Sequence, residues 1–192
     1  MYDIIADTPE LQEEARKKGI TPLYLEKDVM LVTSTQGLKE AKTIILASKP
    51  DRELLEAPID GVVDLELNAG KDRLHYRSAG LDQVTAKILS KDRKALVLSL
   101  QALKDAPQPG IVLGRMLQNA LVAKKAKAPV ILASFATKPE ELPTTHDLET
   151  FFKAVGVDEK LVKQSQKQFK AWAERASHRA GKTYIGEGIK KA

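Results

Sequence analysis

Apolar residues along this chain come in short uninterrupted runs, and the runs alternate with segments in which apolar positions recur every three or four residues. Leu23-Tyr24-Leu25, Met30-Leu31-Val32, Thr43-Ile44-Ile45-Leu46-Ala47, Gly61-Val62-Val63-Asp64-Leu65, Ala95-Leu96-Val97-Leu98-Ser99-Leu100 and Pro129-Val130-Ile131-Leu132-Ala133 predict strands. Between them, Thr8-Pro9-Glu10 predicts a helix start, with Thr as cap and Pro at the first helical position, running to Lys18 and stopping at Gly19. Shorter helices are predicted near 37–42 and 51–56. After Gly80, Leu81, Val84, Ile88 and Leu89 fall at helical spacing. Pro107, Pro109 and Gly110 punctuate the chain before a helix carrying Leu113, Met116, Leu117, Ala120 and Leu121 on one face.

The runs are apolar throughout rather than alternating. A strand of that kind is covered on both faces, which predicts a largely parallel sheet wrapped by helices, either doubly wound or a barrel of the triosephosphate-isomerase type. The last segment is different in kind. Residues 158–180 predict one long helix, with Leu161, Val162, Ser165, Phe169, Trp172 and Ala176 as an apolar stripe beside Lys160, Lys163, Lys167 and Lys170. The division expected is an α/β domain over 1–157, a basic amphipathic helix over 158–180 packed on it, and a flexible basic tail over 181–192.

Composition narrows the classes. At 192 residues with 43% hydrophobic content the chain can bury a substantial core, and with aromatics at 5% that core is aliphatic. There is no cysteine, which excludes disulfides, thiolate metal sites and cysteine nucleophiles. No apolar run is long enough to span a bilayer, and Met1-Tyr2-Asp3-Ile4 does not open a secretory leader, so a cytoplasmic protein is expected. The net charge of +5 is unevenly spread. Residues 1–114 carry 16 basic against 18 acidic residues, a net of −2, whereas 115–192 carry 15 against 8, a net of +7. A basic region of this kind suits a polyanionic partner, although a solvated lysine surface has the same composition.

Candidate chemistry is sparse. Gly181-Lys182-Thr183 lacks the earlier glycine of a phosphate-binding loop, since Ala176 stands there, and it follows a helix rather than a strand. His75, His146 and His178 are isolated, and no cluster of Asp and Glu with metal-ligand spacing stands out. Ser99 and Ser134 end strands, where barrel enzymes place their sites, but serine there is also an ordinary helix cap. Neither a catalytic group nor a bound cofactor is expected. Basic residues, by contrast, cluster: Arg73, Arg77, Lys87, Lys91, Arg93 and Lys94 lie within about twenty positions, followed by Arg115 and Lys138. Such cations neutralise phosphates without reading bases, and the shortage of aromatics argues against stacking on single strands.

Gly80-Leu81-Asp82 followed by Val84, Ala86 and Lys87, then Ser99-Leu100, Arg115 with Met116-Leu117, Ala133-Ser134, and Pro143, Asp147-Leu148 and Gly156 form an ordered series over residues 61–157. The series resembles the protein component 3 family of archaeal ribonuclease P. Gln83 stands where many members have His, and Gln101 and His146 where Arg is frequent. The resemblance implies a barrel-like α/β fold without a metal cluster of its own. It implies a noncatalytic subunit that binds and stabilises the catalytic RNA for removal of 5′ leaders from precursor tRNA. An RRM-like protein would be its partner in a heterotetramer, and Mg²⁺ would sit on the RNA. The RNA contacts expected are Arg77, Lys87, Lys91, Arg93, Arg115 and Lys138. Two other readings of the residues stay open: a small metal-dependent barrel phosphoesterase of the histidinol-phosphatase-related type, and a protein-binding scaffold that docks through Phe169 and Trp172.

Overall fold

The computed structural model describes residues 1–36, 38, 43–67, 72, 78–180, 184–186 and 189–190, with side chains as far as residue 174. Strand β1 (Tyr2–Ile5) leads through helix α1 (Pro9–Lys17) to β2 (Thr21–Tyr24). Then follow β3 (Val29–Val32), β4 (Ile44–Ser48), α2 (Arg52–Glu56), β5 (Gly61–Val63), α3 (Gln83–Lys91), β6 (Ala95–Ser99), α4 (Leu100–Lys104), α5 (Pro109–Ala126) and β7 (Val130–Ala133). A 3₁₀ turn (Pro139–Glu141), α6 (Thr145–Ala154), α7 (Glu159–Ala180) and a short antiparallel pair, β8 (Tyr184–Gly186) with β9 (Ile189–Lys190), complete the chain.

Strands β3 to β7 form one parallel sheet in sequence order, and β1 pairs with β2 as a separate parallel ladder. The parallel sheet expected from the uniformly apolar runs is present, and both faces of β4 to β7 are covered, whereas the edge strand β3 leaves Met30 and Leu31 exposed. Ile45, Ala47, Val62, Leu96, Leu98, Val130 and Leu132 point into a core shared with the outer helices. Ile44, Leu46, Val63, Ala95, Val97, Ile131 and Ala133 point the other way, into a second core closed by Phe135, Phe169 and Trp172. This is the period of two expected of strands, with both faces dry along β4 to β7.

A barrel of the triosephosphate-isomerase type would carry one closed ladder. Here the described strands form separate ladders, and only single bridges, Ile5 to Ala136 and Leu25 to Val29, join them. Helix α7 accounts for the break between β7 and β1. The backbone N–H groups of Leu132 and Val130, which face away from β6, donate to Ser165 Oγ (2.8 Å) and Gln168 Oε1 (2.9 Å). On the other side, the N–H of Tyr2 donates to Gln166 Oε1 (2.9 Å), and Gln166 Nε2 donates to the Tyr2 carbonyl (3.2 Å). Side chains of a helix thus satisfy two strand edges that would otherwise need a ladder partner. The helix passes from one core to the other as it does so: Leu161 and Val162 join the outer core, Phe169, Trp172 and Ala173 the inner one. Gly61 makes room for it, because a Cβ there would meet the Ala95 carbonyl at 2.5 Å and the Trp172 ring at 3.0 Å.

Several boundaries differ from the sequence expectation. The strand at 61–65 stops at Val63, because Asp64 takes a left-handed conformation (φ 58°). Leu100 opens α4 instead of ending a strand, since Ser99 Oγ accepts the Ala102 N–H (3.1 Å) and caps the helix. The helix expected near 37–42 lies almost entirely outside the described residues; Leu38, which is described, is buried. No helix among the described residues is long and apolar enough to cross a membrane.

Candidate nucleic-acid interface

The basic residues singled out in the sequence occupy different parts of the fold. Lys87 is exposed halfway along α3, and Lys91 and Arg93 are exposed at its C-terminal end, just ahead of β6. Lys138 is also exposed, but it follows β7. Because the strands are parallel, Lys91 and Arg93 lie at the edge where strands begin and Lys138 at the edge where they end. These cations therefore do not share one loop cluster. Arg73 and Arg77 lie outside the described residues.

Two of the cations are used inside the protein. Lys94 is buried, and its Nζ donates to the carbonyls of Leu55 (2.5 Å) and Ala57 (3.0 Å), with Asp92 Oδ2 at 3.2 Å. It ties the end of α2 to the start of β6, satisfying helix carbonyls left without intrahelical donors. Arg115, with a side chain only 12% exposed, pairs with Asp72 Oδ1 (2.9 Å) and donates to the Glu66 carbonyl (3.0 Å). It anchors the connection between β5 and α3.

That connection carries the Gly80-Leu81-Asp82 series, and each member has a local task. Gly80 adopts φ 95° and lies so close to Leu65 that a Cβ would approach its carbonyl oxygen to 2.4 Å. Asp82 Oδ1 accepts the Thr85 N–H (2.7 Å) and caps α3. Asn119, fully buried on α5, donates to the Ala79 carbonyl (2.7 Å) and accepts the Leu81 N–H (3.2 Å). The series thus fixes the entry of α3 against α5, leaving Lys87 on the outer face of a firmly held helix.

Two buried carboxyls escaped the sequence reading. Glu66 is fully buried, and neither carboxylate oxygen has a hydrogen-bond partner. Burial pushes its pKa up to about 7; its own backbone N–H and the Asn119 amide, near the carboxylate but outside hydrogen-bonding geometry, oppose this weakly, and the charge of Asp64 acts in the same direction as burial. Asp3 Oδ1 accepts the Ile4 and Ser134 N–H groups (2.8 and 2.7 Å), linking β1 to the end of β7. Burial raises Asp3 to about 6 despite those bonds and the Ser134 hydroxyl. The signal available in the sequence was an acid inside an apolar run: Asp3 before Ile4-Ile5, Glu66 between Leu65 and Leu67.

The residues that an enzyme reading would use have structural partners. Ser99 caps α4, and Ser134 Oγ accepts the Ala136 N–H (3.1 Å). His146 is exposed on α6, with Thr150 Oγ1 at 3.5 Å. Among the described residues no group of three or more His, Asp or Glu is arranged to hold a metal ion. Phe169 (0% exposed) and Trp172 (3%) are core residues, which removes them as a free docking face.

Helix α7 presents another arrangement. Lys160, Lys163, Lys167 and Lys170 are all exposed on the side opposite the buried Leu161, Ser165, Phe169 and Trp172. At its start, Asp158 Oδ2 holds Lys124 Nζ at 2.6 Å, and this pairing brings the end of α5 alongside.

No protein-family profile matches the sequence, and no curated protein does. Among solved structures, a crystal structure of an uncharacterized protein aligns with 80% of the chain and 38% of its own length, at 10% identity and a TM-score of 0.48. A chain in the cryo-EM structure of archaeal ribonuclease P with mature tRNA aligns with 96% of this chain and 95% of its own length, at 16% identity and a TM-score of 0.70. Over nearly its whole length, then, the protein shares its fold with a chain of that ribonucleoprotein.

Proposed function

We propose that the protein is a noncatalytic subunit of archaeal ribonuclease P, which binds and stabilises the catalytic RNA for removal of 5′ leaders from precursor tRNA. One observation carries the reading: a fold match that spans both chains almost end to end, with a ribonuclease P chain as the neighbour. The ordered series from Gly80 to Gly156, read independently in the sequence, names the same complex.

In this reading the fold is barrel-like, with α7 taking the place of a ladder between β7 and β1. The RNA, not the protein, carries the Mg²⁺ and the chemistry. An RRM-like subunit is the expected protein partner, in a heterotetramer. Lys87, Lys91, Arg93 and Lys138 present exposed cations suited to phosphates, and Arg77 joins them by its place in the sequence. Arg115 contributes by holding the 64–82 connection through Asp72 and Glu66.

The test is co-purification. Expressed with an archaeal ribonuclease P RNA and its RRM-like subunit, the chain is expected to elute as a single ribonucleoprotein containing all three. Elution of this chain apart from both would overturn the proposal.

A further inference from the structure

We infer that the lysine face formed by α7 and the end of α5 is a docking surface for the phosphate backbone of double-helical RNA. The inference rests on the ribonuclease P reading and adds a surface to it that the α3 cations do not include. At 100° per residue, Lys160, Lys163, Lys167 and Lys170 fall within an arc of about 80°, centred opposite the buried stripe, and span about 15 Å along the axis. Lys124, Lys125 and Lys127 are exposed at the end of α5, which the Lys124–Asp158 pair joins to the start of α7.

The acidic residues facing this surface are few. Glu159 pairs with Lys163 (2.8 Å) and Glu174 with Lys170 (3.9 Å), both in the open. On the adjoining α6, Lys153 and Glu149 answer each other (3.7 Å). Seven lysines against Asp158, Glu159 and Glu174 leave the face cationic. Exposed pairs of this kind are worth at most about 1 kcal/mol, so phosphates can displace the carboxylates.

The chemistry of the face selects the partner. Among the α7 lysines stand Gln164 and Ala171, and on α5 the single exposed Leu121 precedes Lys124; one leucine and no exposed aromatic among the described residues are too little apolar surface to enter a bilayer or to stack on bases. A stripe of flexible ammonium groups on a rigid helix fits a regular array of phosphates, and RNA helices are recognised through backbone and shape. The helix itself is immobilised, since Ser165, Gln166 and Gln168 tie it to two strands. The cations are therefore presented at fixed spacing.

The experiment measures binding of the full chain to a ribonuclease P RNA transcript, and to an RNA duplex of unrelated sequence, as salt rises from about 50 to about 300 mM. The variant K160Q/K163Q/K167Q/K170Q is expected to bind both RNAs at least tenfold more weakly, with a salt slope shallower by about 3 and an unchanged melting curve. K17Q, on α1 and outside this face, is expected to match the parent. Single K163Q and K167Q variants, each lowering the slope by about 1, carry the test if the quadruple variant folds poorly. A quadruple variant with the parent's slope and affinity would overturn the inference and leave the ribonuclease P reading standing. A parent chain that binds neither RNA would overturn both.

Discussion

The side-chain amide of Gln166 hydrogen-bonds both backbone groups of Tyr2, accepting from its N–H at 2.9 Å and donating to its carbonyl at 3.2 Å. A glutamine on a helix thereby does for β1 what a neighbouring strand does elsewhere in the sheet, and Ser165 does the same for Leu132 of β7. A buried backbone group left without a partner costs about 1–3 kcal/mol. Ser165→Ala is therefore expected to lower the urea unfolding free energy by about that much. Gln166→Ala, in a half-buried position, is expected to fall in the lower half of the range, both measured with unchanged m-values.

Phe169 and Trp172 fill the inner core, and the two rings meet edge to face with centroids 6.5 Å apart. Truncating either to Ala is expected to cost about 3–5 kcal/mol, read from chemical denaturation. A docking role would give the opposite pattern, with stability intact and only partner association lost.

Glu66 predicts a pH dependence with a definite sign. Its pKa is 4.5 ordinarily and about 7 in the folded protein, so between those values the folded chain binds more protons than the unfolded one. Stability contributed by the neutral carboxyl is fully present below about pH 4.5 and is lost as pH rises through about 7. The total effect is on the order of 3 kcal/mol. Asp3, raised from 3.8 to about 6, acts in the same direction. Glu66→Gln is expected to flatten the stability profile between pH 5 and 8, leaving the smaller slope due to Asp3. The check is denaturant unfolding at several pH values.

Gly80→Ala combines a positive φ with a Cβ driven against the Leu65 carbonyl. A loss of about 2 kcal/mol or more is expected. Because the same turn sets the entry of α3, amide exchange in α3 should rise well above that in β6.

The sequence made the strands and most helices legible because their signals are local: uniformly apolar runs, Thr8 as a cap, apolar positions at helical spacing, and Gly19 after a helix. It concealed the gap between the β7 and β1 ladders that α7 fills. Ser165, Gln166 and Gln168 read simply as the less apolar positions of an amphipathic helix, and only the tertiary arrangement gives them strand edges to satisfy. The division of the basic residues was hidden for the same reason. Lys94 and Arg115 are cations like Lys87 in the sequence, yet the carbonyls of Leu55, Ala57 and Glu66 claim them once the chain folds. The cap reading of Ser99 is available in the sequence and holds, but Leu100 continues the apolar run, so the helix that Ser99 caps, α4, reads in the sequence as the end of a strand.

The central claim is tested most directly by reconstitution. Archaeal ribonuclease P RNA, the RRM-like subunit and this chain are combined at limiting Mg²⁺, and cleavage of precursor tRNA is timed. The account predicts that adding the chain raises the rate and lowers the Mg²⁺ needed for half-maximal cleavage, with no cleavage by the chain alone. Rates and Mg²⁺ dependence that are the same with and without it would contradict the account.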